Sequence, residues 1–202
     1  MLRNGVAEQG QKLHPLKYRG YGPINISDCD WFFDEKYPSN VCHHIMSLRW
    51  VHSLPSQTRQ DVVRSFIYYH SRNDAKKGKH YLGRVADHTA SIRLGVLLGT
   101  IEEFEREGEF VGMVRSEIQK TINSCLKETY KKNNNHGLMV DKAVLLCLIK
   151  DSFLFESFAS YVNFVIGRVS KQLDGIFDEE GYCKEHSTSY QEYNLGIALD
   201  LL

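Results

Sequence analysis

Apolar residues recur every three or four positions along most of the chain from about residue 40 onward. Val41, Ile45, Leu48 and Val51 begin this pattern, which stops at Pro55. Such spacing is typical of the buried face of an α-helix, and a proline ends a helix because it has no backbone N–H to donate. The sequence therefore predicts a first helix that ends before Pro55.

The same spacing predicts five further helices and the start of a seventh. Ser56 is a candidate N-cap for the second helix. The third helix is expected to close near Gly99, and the fifth is nearly continuous in apolar residues, so we expect it to be buried on most sides. The seventh begins near Leu195. The approximate ranges of the other five are 56–70, 85–98, 109–131, 138–150 and 154–176.

The lead-in segment, residues 1–40, differs from the remainder of the chain. It holds three of the four prolines, and proline and glycine interrupt regular elements, so we expect an irregular packed segment. The chain has no sustained alternation of apolar and polar residues, the pattern that would predict β-strands. We therefore predict an all-α fold in which antiparallel helical hairpins are stacked or arranged in a ring.

Composition narrows the function classes. Hydrophobic residues make up 42% and charged residues 25% of the chain, which excludes disordered and collagen-like classes. Lys and Arg together number 25, as do Asp and Glu, so the excess positive charge of a nucleic-acid binder is missing and no nucleic-acid partner is expected.

The cysteines and the apolar runs indicate a compartment. Five scattered cysteines without a C-x-x-C pair argue against a disulfide framework and against a thiolate zinc site, so no metal is predicted. The adjacent pair His43-His44 lacks further ligands at zinc spacing. Because no signal-like or membrane-length apolar run is present, we expect a cytoplasmic protein without a membrane span.

Three polar strings are candidates for a functional site. Each also has an ordinary structural interpretation: asparagines cap helices and form turns, a polar loop links two helices, and an Asp-His pair begins a helix. As chemistry, they bring together amide, imidazole, phenol, ammonium and carboxylate groups. The strings are Lys131-Lys132-Asn133-Asn134-Asn135-His136-Gly137, the segment 174–193, and Ala86-Asp87-His88-Thr89-Ala90-Ser91-Ile92-Arg93.

Together, these strings resemble the signature of the heparinase II/III family of polysaccharide lyases. The resemblance covers about residues 40–202. It implies an incomplete (α/α) toroid for residues 41–202, with the later hairpins and the β-sandwich of the family absent. It is carried by Asn134-Asn135-His136-Gly137, by Asp174-Gly175, by Glu185-His186-Ser187 with Tyr190 and Tyr193, and by Asp87-His88 with Ala90 and Arg93.

The resemblance implies β-elimination at a uronic acid in an acidic polysaccharide, without a cofactor. Asn135 and His136 would neutralise the uronate carboxylate, with His136 also a candidate base. Donors that offset the developing charge supply much of the catalysis in such a reaction. Tyr190 would be the general acid and base, and Tyr193 its substitute. The residues expected to bind substrate are Asn134, His88, Arg93, Lys184, Glu185 and His186.

Two other functions remain open. A glycoside hydrolase on a related helical toroid would need two carboxylates that flank the scissile bond. Its candidates are Asp87, Asp178, Glu179 and Glu185. A non-catalytic glycan-binding or assembly protein is the other alternative. An incomplete toroid is also expected to expose an apolar helix at its C-terminal edge, where a partner could associate.

Overall fold

The fold was analysed in a computed structural model, which describes residues 16–18, 21–24, 31, 38–72, 86–104, 108–126, 134–151, 158–184 and 188–200. These residues form seven α-helices, one 3-10 helix and two short strands, so the prediction of a helical protein is confirmed. The elements are β1 Leu16–Tyr18, β2 Tyr21–Ile24, α1 Ser39–Met46, the 3-10 helix Arg49–Ser53, α2 Ser56–Arg72, α3 Ala86–Glu103, α4 Gly108–Cys125, α5 Asn135–Lys150, α6 Phe158–Ile176 and α7 Thr188–Leu199.

The lead-in segment contains an antiparallel hairpin that the sequence did not predict. Leu16 pairs with Ile24 and Tyr18 with Tyr21. The two strands contain three and four residues, which is too short for an alternating pattern to stand out. The expectation of a wholly irregular lead-in is therefore wrong at these positions.

The predicted first helix is broken after Met46. Leu48 is fully buried and adopts a left-handed backbone conformation with φ of 58°. The indole N–H of Trp50 donates to the Ile45 carbonyl at 3.1 Å, which satisfies a carbonyl near the end of α1. The chain then continues as the 3-10 helix rather than as the single helix to Pro55 that the apolar spacing predicted.

Helix boundaries differ from the prediction at several other points. Ser56, the candidate N-cap, is the first residue of α2. Its hydroxyl donates to Glu103 at 2.6 Å and so links α2 to the end of α3. Helix α3 continues through Gly99 to Glu103, so this glycine is not a helix stop. Helix α5 begins three residues earlier than predicted.

Contacts between α1, α3, α5 and α7 show that these four helices run in the same direction. Helix α1 meets α3 first through His43 and Thr89 and then through Met46 and Arg93. Further contacts advance along both partners in the same way, with α3 against α5 and α5 against α7. These pairs are Asp87 with His136, Leu94 with Cys147, Glu102 with Lys150, Met139 with Tyr193, and Lys142 with Asp200.

Helices α2, α4 and α6 return in the opposite direction. Arg59 near the start of α2 pairs with Glu103 at the end of α3. Arg115 in the first half of α4 pairs with Asp151 just after α5. Arg168, in the second half of α6, pairs with Asp141 in the first half of α5. The described chain is therefore a succession of antiparallel hairpins, and all N-terminal ends of α3, α5 and α7 lie at one end of the molecule.

The core lies between these helices and contains large apolar side chains with almost no exposure, including Phe66, Leu94, Phe110 and Leu138. Helix α3 packs most extensively against α5. The expectation that α5 is buried on most sides holds only in part, because Leu146 and Ile149 are exposed. Among the described helices, none combines the length and the apolar character needed to span a bilayer.

Candidate functional site

Three imidazole rings lie in a row at the end of the molecule where α3 and α5 begin. The row consists of His43 on α1, His88 on α3 and His136 on α5. The ring centroids of His43 and His88 are 5.6 Å apart, and those of His88 and His136 are 5.2 Å apart. Both pairs meet edge to face, an arrangement that aromatic rings favour. We call these residues the histidine row.

A carboxylate holds the last ring of the histidine row. Asp87 Oδ2 lies 3.3 Å from His136 Nδ1. The Asp87 side chain is 10% exposed, whereas the His136 side chain is 41% exposed. A carboxylate at Nδ1 favours the tautomer that carries its proton there, which leaves the Nε2 lone pair available. The geometry therefore provides an oriented imidazole that can accept a proton at its accessible side.

Burial favours the neutral form of the other two imidazoles. Desolvation lowers the pKa of His88, and the neighbouring His136 lowers it further. Desolvation also lowers the pKa of His43, with His88 as the next cause. Asp87 opposes both shifts. Both imidazoles bind a proton more readily in the unfolded chain than in the folded one. Protonation therefore favours unfolding, and the free energy of unfolding decreases as pH falls below about 6.5.

Replacing Asp87 with Asn should lower the pKa values of His43 and His88 further, since the carboxylate raises both. NMR titration of the imidazole protons measures this change. Glu102→Gln is the matched control, because Glu102 lies at the opposite end of the same helix. Unchanged titration of both rings in Asp87→Asn would contradict the proposed electrostatic link.

Asn134 and Asn135 belong to the beginning of α5 rather than to a loop. The Asn134 side chain caps the helix by accepting from the N–H groups of His136 at 3.1 Å and Gly137 at 3.3 Å. Asn135 is 8% exposed, and its side-chain amide oxygen accepts from the same His136 N–H at 2.9 Å. The structural interpretation of this string as a helix cap is confirmed, and the cap fixes the start of the helix that carries His136.

Tyr190 and Tyr193 lie on α7, where the sequence predicted a polar loop. Both side chains are exposed, at 47% and 41%. The Tyr193 hydroxyl contacts the sulfur of Met139, one helical turn beyond His136. Tyr190 lies one turn before Tyr193, and α5 and α7 run in the same direction. Tyr190 is thus at the same end of the molecule as His136.

The turn between α6 and α7 is tied to both helices. Lys184 Nζ donates to the Asp174 carbonyl at 2.7 Å, which places a positive charge near the C-terminal end of α6, where it is favourable. The Asp178 carboxylate accepts from the N–H groups of Glu180 and Tyr182 within its own turn. Glu179 is exposed. Glu185 and His186, which were predicted to bind substrate, lie outside the described residues.

Arg93 does not lie where the sequence analysis placed it. Its side chain was expected to line a sugar-binding groove, but the residue is only 3% exposed. Its guanidinium donates to the Met46 carbonyl at 3.2 Å and lies over the Phe66 ring. The prediction is wrong because Arg93 faces α1 and α2, where its side chain is buried from solvent.

Sequence reasoning missed the roles of His43 and of Asp87 as the partner of His136. The Asp-His string marked a helix start, but nothing local indicates that the imidazoles of three separate helices meet.

Within the described ranges, no group of three His, Cys, Asp or Glu side chains can hold a metal ion.

No protein-family model matches this chain, and comparisons with curated proteins and with solved structures also return no match. The function is therefore inferred from the sequence pattern and from the geometry of the described residues.

Proposed function

We propose that the protein is a lyase that cleaves uronate-containing polysaccharides by β-elimination. The observation that carries this proposal is the contact between Asp87 and His136, since it orients an accessible imidazole for proton transfer. General acid–base catalysis of this kind needs a positioned side chain that can take up and release a proton, and histidine is the usual choice.

In the proposed reaction, His136 Nε2 removes the proton at C5 of the uronate. The electron pair of the C5–H bond forms the C4–C5 double bond, and the C4–O bond breaks. Tyr190 gives its phenolic proton to the leaving oxygen and so acts as the general acid. The proton on His136 then restores the tyrosine through solvent.

The groups around His136 support charge neutralisation at the uronate. Asn135 and His136 are the first two residues of α5, where the positive end of the helix dipole favours an anion. His88 and the exposed Asn134 border the same region and are the proposed sugar contacts. Lys184 adds positive charge at this end of the molecule.

The arrangement of the helices supports the toroid that this proposal requires. One set of helices, α1, α3, α5 and α7, runs in a single direction, and α2, α4 and α6 return. Such alternation builds two concentric layers when successive hairpins are placed side by side. We propose that residues 41–202 form part of an (α/α) toroid with the histidine row at one end.

Two further expectations remain predictions. The cytoplasmic location follows from the sequence pattern alone. Association with a partner at the edge formed by α7 is supported by its exposed apolar side chains, Leu195 and Leu199.

The direct test is to incubate the protein with heparan, alginate and capsular polysaccharides and to follow the ultraviolet absorbance of the unsaturated product. Replacing Tyr190 with Phe should reduce the rate by about 10²-fold or more, because the leaving oxygen loses its acid. Tyr68→Phe is the matched control, since Tyr68 is comparably exposed on α2. Equal rates for both variants would count against Tyr190 as the acid.

A further inference from the structure

A hollow of about 520 Å³ opens between α3, α5 and α7. It begins about one helical turn beyond the histidine row and Tyr190, since Ser91, Met139 and Tyr193 are among its lining residues. Pockets that bind small molecules in proteins fall within roughly 300–1,000 Å³. The hollow is thus large enough to enclose a small ligand.

Small residues on each of the three helices create this space. Gly95 on α3, Ala143 on α5 and Gly196 on α7 all line the hollow. A Cβ added at Gly95 or at Gly196 would meet no atom within 4 Å. Larger side chains could therefore be accommodated at both positions, and the space stays open because glycine has no side chain to fill it.

The walls are mainly apolar, and their charged residues are one cation and two acids. Leu98, Leu146 and Ile197 supply aliphatic surface. Lys142, the cation of the lining, is paired with Asp200, whereas Glu192 adds a second acid. An uncharged apolar molecule gains free energy from leaving water in such a place, whereas an anionic one meets excess negative charge.

We infer that this hollow binds an uncharged small molecule with an alkyl or aryl group. The ligand lies along α5 between Gly95 and Gly196, with its apolar part against the aliphatic walls. A polar end group reaches the Tyr193 hydroxyl at the end nearest the histidine row. This binding does not depend on the proposed elimination chemistry, and the two are tested by different measurements.

Isothermal titration calorimetry with 1-decanol and with decanoate tests the inference. We expect the protein to bind 1-decanol saturably and decanoate about tenfold more weakly, because of the negative charge around the hollow. Gly95→Leu should weaken 1-decanol binding by at least about tenfold, since the new side chain occupies the space of the ligand. Gly196→Leu fills the hollow from the opposite wall and should have the same effect.

Gly112→Leu is the matched control, because Gly112 is an exposed glycine of α4 with equally open space around a Cβ. This variant should bind 1-decanol as the original chain does. Three results would overturn the inference: no saturable binding, equal binding by the Gly95→Leu and Gly112→Leu variants, or a dimer in sedimentation that Gly95→Leu dissociates, which would assign the hollow to a second copy. If the protein eliminates uronates but does not bind 1-decanol, the proposed function stands and the inference about the hollow is wrong.

Discussion

Replacing Arg168 with Met should destabilise the protein by about 3–5 kcal/mol at neutral pH. The Asp141 carboxylate is fully buried on α5, and Arg168 Nε donates to it at 3.0 Å while Gln172 adds a second hydrogen bond. Arg168 also donates to the Cys125 carbonyl at 3.2 Å. Removing the guanidinium leaves a buried charge and a buried carbonyl without this partner, and both are costly.

The loss should depend on pH. Burial raises the pKa of Asp141 to about 6, and Arg168 opposes that rise. The folded chain therefore binds the Asp141 proton more tightly than the unfolded chain does. Because of this difference, the free energy of unfolding decreases as pH rises from about 4 through 6. Without Arg168 the pKa rises further. The destabilisation should therefore be smaller at about pH 5, where the carboxyl is protonated, than at about pH 7.5.

Urea unfolding at both pH values measures these effects. Lys150→Met is the matched control, since its pair with Glu102 is exposed and should change stability by less than about 1 kcal/mol. The double variant Asp141→Asn with Arg168→Met should recover part of the loss, because the buried charge is gone. A loss in Arg168→Met no larger than that in Lys150→Met would contradict this account.

The second large effect concerns catalysis. Replacing His136 with Gln removes the proposed proton acceptor but keeps a polar side chain of similar length beside Asp87. We expect the elimination rate constant to fall by about 10²–10⁴-fold, the usual contribution of a general base. The rate is measured from the ultraviolet absorbance of the unsaturated product under saturating substrate.

The control for this variant is His52→Gln, because His52 is exposed in the 3-10 helix, outside the histidine row. Circular dichroism checks that both variants remain helical. Equal elimination rates for the His136→Gln and His52→Gln variants would show that His136 is not the base. The role of Tyr190 is tested separately by the Tyr190→Phe variant.

The helices could be predicted from the sequence where one face is consistently apolar. Helix α6 is the best example, because Val165, Val169 and Ile176 follow the helical spacing and are all buried. Helix α7 was missed over its first turns because Tyr190 and Tyr193 are exposed and its polar residues resemble a loop. The break at Leu48 was missed because the same apolar spacing continues across it.

The site was predicted in part. His136 and His88 were both selected from local strings, but their contact depends on how α3 packs against α5. Only the folded chain brings together residues almost fifty positions apart, so spacing cannot show this. Asp141 is a further sequence signal, since an acid within the apolar run of α5 predicts a buried partner.

The measurement that tests the central claim most directly is the mass and absorbance of the products that the protein releases from a uronate-containing polysaccharide. Elimination predicts fragments with ultraviolet absorbance and a new chain end that is lighter by one water than the hydrolytic product. Saturated products without absorbance, or no cleavage of any uronate-containing polysaccharide tested, would contradict the account.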